Sequence, residues 1–439
     1  MVRSSPNPAV RCRSPLPLLL LALAAAAPAW PQEDVWIDGP DAVQPGSNRE
    51  FPDAAIDAFG RSIYVWDAFS AGDARNDIYL RRFDRTGAPL ADPLQVNTYT
   101  DDDQRNPRVA AGLDGSFLVV WRSEEPGPNP ADPLGHWVRS RKFDASGAPI
   151  GAEQYVNSLN AAIAGGALRV DVAALRGGGY VVVWRSAVGG GTDPGVSIQA
   201  RLLSAAGVPL GSPIQVNVEE PLAQEYCSVA PLADGGFVVA WTLPGVALRR
   251  FAADGSPVTG QIDANAASVT AYWTDLAVAP DGRVALVWRE GDTEIRVRLF
   301  DSTLTPLGDE FVVNDVADID PAAPRVATYG AGGFLVIWES TTGVGSDPSS
   351  RSVEGRQVTG VDQFAGPQEQ LNEFEDDAQH QPAIGGSSFW LALAWQSGDN
   401  PDEPTDDAIL GFGIDLCGPL FCDDFELGTT LRWSLTASP

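Results

Sequence analysis

The chain has 439 residues, of which 29 are basic and 58 acidic, for a formal net charge of −29 at neutral pH. Acidity on this scale argues against nucleic acid or an anionic membrane as partner. The N-terminal 29 residues read as a secretory signal: Arg3, Arg11 and Arg13 precede an apolar stretch from Leu18 to Ala27 and a small-x-small cleavage site, Ala27-Pro28-Ala29. That stretch is too short to span a bilayer, and no later segment approaches the roughly 20 apolar residues of a transmembrane helix. Cys12 lies ahead of the apolar stretch, so a lipoprotein-type anchor is not expected. Cleavage would remove three arginines and no acid, taking the charge from −29 to −32. The expected location is outside the cell or at its surface, with the periplasm as the alternative.

An extended stretch from about Val35 to Gln44 opens the mature chain. Seven apolar runs ending in tryptophan follow: Ile63 to Trp66, Leu118 to Trp121, Val181 to Trp184, Val238 to Trp241, Ala285 to Trp288, Leu335 to Trp338 and Ala392 to Trp395. They recur every roughly 47 to 63 residues, which marks a repeat architecture. Each unit reads as four short strands. In the second unit these are Pro107 to Ala111, Phe117 to Trp121, Trp137 to Phe143, and a fourth strand ending at Tyr155-Val156-Asn157. Aspartate and glycine at the first and fourth turn positions, as in Asp84 to Gly87 and Asp144 to Gly147, suit a type I hairpin turn. No helical periodicity appears, so the protein is expected to be all-β.

The tryptophan strands are apolar at successive positions, which predicts burial on both faces. Sheets arranged radially satisfy this, so residues 30–416 are expected to form a seven-bladed β-propeller of four-stranded antiparallel blades. The first strands are rich in small residues, such as Ala110-Ala111 and Gly385-Gly386, which suit the crowded axis. Trp66, Trp121, Trp184, Trp241, Trp288, Trp338 and Trp395 are expected to fill the wider space between sheets. Six fourth-strand endings can be counted for seven tryptophan strands, the fourth of them at Gln261-Ile262-Asp263. The extended stretch at 35–44 is therefore expected to supply the outer strand of the last blade.

Several stretches resemble a repeat type found in large secreted bacterial proteins, often beside hemolysin-type calcium-binding or adhesin-like modules. They include Gln104 to Ala110, Gly235 to Trp241 and Arg81 to Leu90, and the resemblance covers nearly all of residues 50–416. It implies an extracellular interaction role. The nonapeptide glycine-aspartate calcium repeats that often accompany such units do not occur in this sequence. The tail, residues 417–439, is similar to a short C-terminal signature of secreted Gram-negative proteins, which implies export or surface handling; a simple packed tail is the other reading. Within it Cys417 and Cys422 are expected to pair in an oxidising compartment, and Cys227 is expected to be buried packing.

The loops that join second to third strands, and those that lead from one unit to the next, share one face in a propeller. Acids gather there, including Asp101-Asp102-Asp103, Glu219-Glu220, Asp315, Asp318, Asp320 and Asp376-Asp377, so that face is expected to be strongly negative. Calcium takes several oxygen ligands at once. Asp101, Asp102, Asp103, Asp376 and Asp377 could supply some of them, or could simply be solvated loop acids; calcium is the one cofactor these residues suggest. Arginine recurs in the third strand at Arg81, Arg141, Arg201, Arg249, Arg298 and Arg356, with Phe412 in the seventh place. Sixfold recurrence points to a structural role between blades.

No catalytic residue is nominated. The only histidines are His136 and His380, and there is no zinc-protease, nucleophile-elbow or phosphate-loop motif. The expected function is a non-catalytic binding or adhesion module, monomeric, that meets an extracellular protein or glycan through its acidic loop face. The alternative is an extracellular carbohydrate-active or other hydrolytic enzyme that uses loop carboxylates and His380; a structural surface protein is the third option.

Overall fold

In a computed structural model the described residues are 35–38, 48–70, 73–125, 136–157, 169–186, 196–218, 224–265, 270–315, 320–330, 332–341, 351–372, 378–398 and 408–415. They form seven antiparallel sheets and contain no helix; six sheets take their strands in chain order, one of these with a fifth short strand, and the seventh takes its outer strand from the N-terminal segment. The innermost strands are Arg49–Ile56, Gln104–Ala111, Val170–Ala174, Glu225–Pro231, Ala271–Val278, Ala322–Tyr329 and Gln379–Gly386. Each packs beside the inner strands of both neighbouring blades, and Arg49–Ile56 meets Gln379–Gly386, so the ring is closed. The result is a seven-bladed β-propeller.

Crowding at the axis explains the small inner residues. A methyl group added at Gly385 would come within 2.6 Å of the Ala54 carbonyl oxygen in blade 1. At Gly386 it would meet Ala327 and Thr328 of blade 6 at 2.7 Å. Farther out the gap between sheets widens, and the seven tryptophans fill it, each at most 1% exposed. Every indole packs onto the preceding blade. Trp121 lies with Ile63, Val65 and Leu80, Trp241 with Val181, Val183 and Ala200, and Trp66 with Ala392, Ala394 and Ile409 of blade 7.

Two polar devices repeat outside this core. An asparagine just beyond the fourth strand accepts a hydrogen bond from a third-strand amide of its own blade. The pairs are Asn97 with Ile78, Asn157 with Val138, Asn217 with Ile198, Asn265 with Val246, Asn314 with Ile295 and Asn372 with Val353, at 2.7–3.0 Å. In blade 4 the role falls to Asn265, two residues beyond the Asp263 expected from the run of endings.

The carbonyl just before the asparagine accepts from the third-strand arginine of the next blade. Arg141 reaches Val96, Arg201 Val156, Arg249 Val216, Arg298 Ala264 and Arg356 Val313, at 2.5–2.9 Å. The recurring arginines thus join blades. These bonds are charge-assisted but partly exposed, and each contributes roughly 1.5 kcal/mol, the low end for its class.

Closure uses the same parts across the termini. Val35–Trp36 pairs with Ala408–Asp415 as the outer strand of blade 7, and the Ile37 amide donates to the Ile409 carbonyl at 2.9 Å. Arg81 then donates to the Ile37 carbonyl at 3.1 Å, and Asp38 pairs with Arg49 at 2.6 Å. The closing strand is as expected at Val35–Trp36, with one further backbone bond from Ile37; residues 39–44 lie outside the described residues, as do the signal segment, Cys417, Cys422 and the tail. At the seventh arginine position Phe412 packs edge-on against Trp395, with ring centroids 5.6 Å apart.

Two substitutions test this packing by chemical denaturation. Trp241→Ala should remove about 3–5 kcal/mol of stability. Gly385→Ala should cost about 1–3 kcal/mol through overpacking at the axis; a neutral result there would mean that the inner strands are not in close contact.

Candidate functional site

The inner strands carry a bulge near their starts in six blades, where the chain slips register against the second strand. Its first residue has positive φ in each case: Phe51, Asn106, Tyr226, Trp273, Ala323 and Gln381, between 40° and 54°. A bulge bends a strand and re-aims its side chains. Five of these residues line a cavity of 720 Å³ at the axial mouth, on the face of the inter-blade loops, together with Pro52, Pro382 and His380. This volume lies within the roughly 300–1,000 Å³ typical of small-molecule sites.

The charge of this cavity opposes that of the chain. Arg105, Arg108, Arg122, Arg169, Arg325 and Arg351 line it, against two acids, Asp320 and Glu339. Three of the arginines are tied at the rim. Arg105 pairs with Asp103 at 3.2 Å, Arg122 with Glu124, and Arg351 with both Glu339 and Asp320.

The other three are different. Among the described residues none of Arg108, Arg169 and Arg325 has a carboxylate within ion-pair distance, and neither Arg169 nor Arg325 donates a hydrogen bond; Arg108 donates to the adjacent Pro107 carbonyl at 2.9 Å. Burial, with repulsion from Arg325, lowers the pKa of Arg108, and burial with repulsion from Arg325 and Arg108 lowers that of Arg169. The three guanidinium groups thus feel one another's charge.

Asp53, Arg108, Asp171, Ser228, Asp275 and Arg325 occupy one register level, each opposite the residue just before a blade tryptophan. The aspartates are committed to backbone. Asp53 accepts from the Val109 amide, Asp171 from Val229 and Asp275 from Val326, at 2.8–2.9 Å, each clipping its blade to the next. Burial, and then the neighbouring Asp275, pushes Asp171 up to about 7. The buried Asp67 is also raised to about 7, by burial against the bonds it accepts from the Asn106 amide and Asn76.

The residues nominated from sequence fall elsewhere. Asp102 accepts from the Tyr99 hydroxyl at 2.7 Å, and Asp103 from the Asn76 amide at 3.0 Å and from Arg105. Asp101 offers its carbonyl to Arg75. Among the described residues no group of three or more His, Cys, Asp or Glu is placed to hold a metal ion. Asp376 and Asp377 lie outside the described residues. At the centre of the loop face arginines outnumber acids, and Asp320 and Glu339 are both paired there; the loop acids Glu219, Glu220 and Asp318 lie outside the described residues. His380 does line the cavity, 3.3 Å from Glu339, and His136 stands 3.9 Å from Glu124. Cys227 is buried packing, its thiol pushed up to about 12 by burial.

Sequence reading passed over Arg108, Arg169 and Arg325. A signal was present: Arg108-Val109-Ala110 and Arg325-Val326-Ala327 place a charge in strands otherwise made of small residues.

No protein-family model matches the chain, and no curated protein matches it. Among solved structures it is similar to a Dyadobacter fermentans protein described as of unknown function, at 15% identity and a TM-score of 0.50, over 74% of this chain and 98% of that one. It is also similar to the Penicillium chrysogenum α-L-arabinanase complexed with arabinobiose, at 12% identity and a TM-score of 0.49, over 88% and 99%. The NanB sialidase of Streptococcus pneumoniae shows 9% identity and a TM-score of 0.48, over 87% and 70%. At such identities the likeness is one of fold.

The raised Asp171 carboxyl has a measurable consequence. Its ordinary value is 3.8 and its folded value about 7, so between them the native state holds a proton that the unfolded chain has released. Stability therefore falls as pH rises through that window and levels off above it. Asp171→Asn, which keeps an acceptor for the Val229 amide, should make that fall shallower in urea titrations across the window.

Proposed function

We propose that this propeller is an exported, non-catalytic binding module whose ligand site is the axial cavity, and that the ligand carries negative charge. The observation that carries this reading is the convergence of Arg108, Arg169 and Arg325 on one cavity with no carboxylate among the described residues within ion-pair distance. Like charges crowded at a partly buried site are costly to a fold, and an anion bound there offsets that cost. The leader-like N-terminus supports export.

Binding is favoured over hydrolysis by the state of the cavity's acids. Glycoside hydrolysis needs a carboxyl that holds a proton for the leaving group. Among the described residues lining the cavity, Glu339 pairs with Arg351, and Asp320 with Arg289 at 2.8 Å and Arg351 at 3.1 Å. Both acids are thus already engaged by arginine side chains.

The test is retention of the purified chain on immobilised polysaccharides, with product analysis. Anionic polymers should retain it and neutral ones should not, and retention should weaken as salt rises from about 0.05 to 0.5 M. Release of new reducing ends from any polymer would overturn the binding-only reading in favour of the hydrolase.

A further inference from the structure

The cavity holds more than its arginines. Trp273 lines it from blade 5 and Phe51 from blade 1, both half-buried and both at bulge positions with positive φ, 46° and 52°. Bulky residues seldom adopt that conformation, which costs on the order of 1–3 kcal/mol; Ala323 and Gln381 meet the same backbone requirement in other blades with smaller or more flexible side chains. Trp273 is braced by Tyr226 and Tyr272, with ring centroids at 5.8 and 6.0 Å, and by the Arg289 guanidinium at 5.2 Å. Arg169 in turn lies 4.8 Å from the Tyr226 ring, so the aromatic wall and the cationic floor are joined.

The remaining polar side chains of the lining are uncharged or already neutralised. Asn106 and Gln381 bring amide side chains, and His380 and Glu339 bring an imidazole and a paired carboxylate. Amides and carboxylates are the groups that exchange hydrogen bonds with hydroxyls. A flat apolar wall, hydroxyl-binding side chains and three guanidinium groups outside any ion pair within 720 Å³ together describe one class of molecule. The floor arginines lie close to Asp171 and Asp275 as well, which favours a singly charged group over a phosphate monoester.

Resting on the binding reading above, we propose that the cavity takes an acidic sugar residue: its single anionic group is held by Arg108, Arg169 and Arg325, its ring lies against Trp273, and its hydroxyls meet Asn106 and Gln381. A carboxylate at the sugar's exocyclic carbon and a sulfate ester present the same singly charged oxygen cluster to a guanidinium fork.

Calorimetric titration of the full chain tests this with four probes: a tetragalacturonate, its carboxyl-reduced neutral counterpart, a sulfated oligosaccharide and potassium acetate. The tetragalacturonate or the sulfated oligosaccharide should bind, and whichever binds tighter identifies the anionic group. The neutral counterpart should bind at least about tenfold more weakly. Trp273→Ala should weaken the oligosaccharide by about tenfold while leaving acetate, as a competitor for the arginine floor, unaffected; Trp273→Phe should restore most of the loss. Arg325→Gln should weaken every anionic probe, and unchanged thermal melts would show that both variants fold.

The outcomes separate the two readings. Equal binding of the neutral counterpart, or Trp273→Ala without effect on an oligosaccharide that Arg325→Gln weakens, overturns the sugar assignment and leaves the anion site standing. No binding of any anionic probe overturns both.

Discussion

A β-sheet buried on both faces must find a partner on each, and in this chain the partner is always the next copy of the same sheet. The indole at the end of each second strand makes that possible, because it fills the gap that opens as radial sheets diverge from the axis. Trp121, Trp241 and Trp66 each rest on aliphatic side chains of the preceding blade, and glycine at 385 and 386 lets the inner strands converge where there is no room. The polar devices follow from this geometry. Once the sheets are wedged apart, the carbonyl before each blade-end asparagine faces the third strand of the next blade, within reach of a side chain as long as arginine. Blade 7 has Phe412 in that position and packs it on Trp395 instead.

Because these devices recur in nearly every blade, they leave the start of the inner strand as the place where blades differ. Three blades set an aspartate there that clips onto a neighbouring amide, and two set an arginine. Above this level the bulge turns one side chain toward the mouth in five of the blades, and the side chains chosen are unlike: Phe51, Asn106, Trp273, Ala323, Gln381. A ring of equivalent positions with unequal contents suits recognition of an asymmetric small ligand. The centre of the face is cationic in a chain of net charge −29, and that inversion is the clearest chemical signature in the molecule.

Much of the fold was legible in the residues. The sevenfold apolar run, the aspartate-glycine turns and the shortfall of one fourth strand together specified the blade number and the terminal closure. Sixfold recurrence marked the arginines of the third strand as structural, and Arg141, Arg201 and Arg249 are indeed bonded across blades. The register at Asn265 was misread by two residues, because Gln261-Ile262-Asp263 imitates the endings of other units, and only the bond to the Val246 amide distinguishes the two. The site was legible only in fragments. Counting acids in loops predicted a negative face, yet Asp103, Asp320 and Glu339 are paired with arginines, and the arginines of the cavity floor come from inner strands or the residue just before one.

Local sequence determined what each unit is, since hydrophobic period, turn chemistry and side-chain size act between residues near in the chain. Which residues meet at the axis was decided by tertiary structure alone. Arg108, Arg169 and Arg325 come from blades 2, 3 and 6, far apart in sequence, and only a closed ring of seven brings their guanidinium groups to one cavity. Charge adds over distance in space, not along the chain, so a protein whose sequence reads as acidic carries a cationic centre.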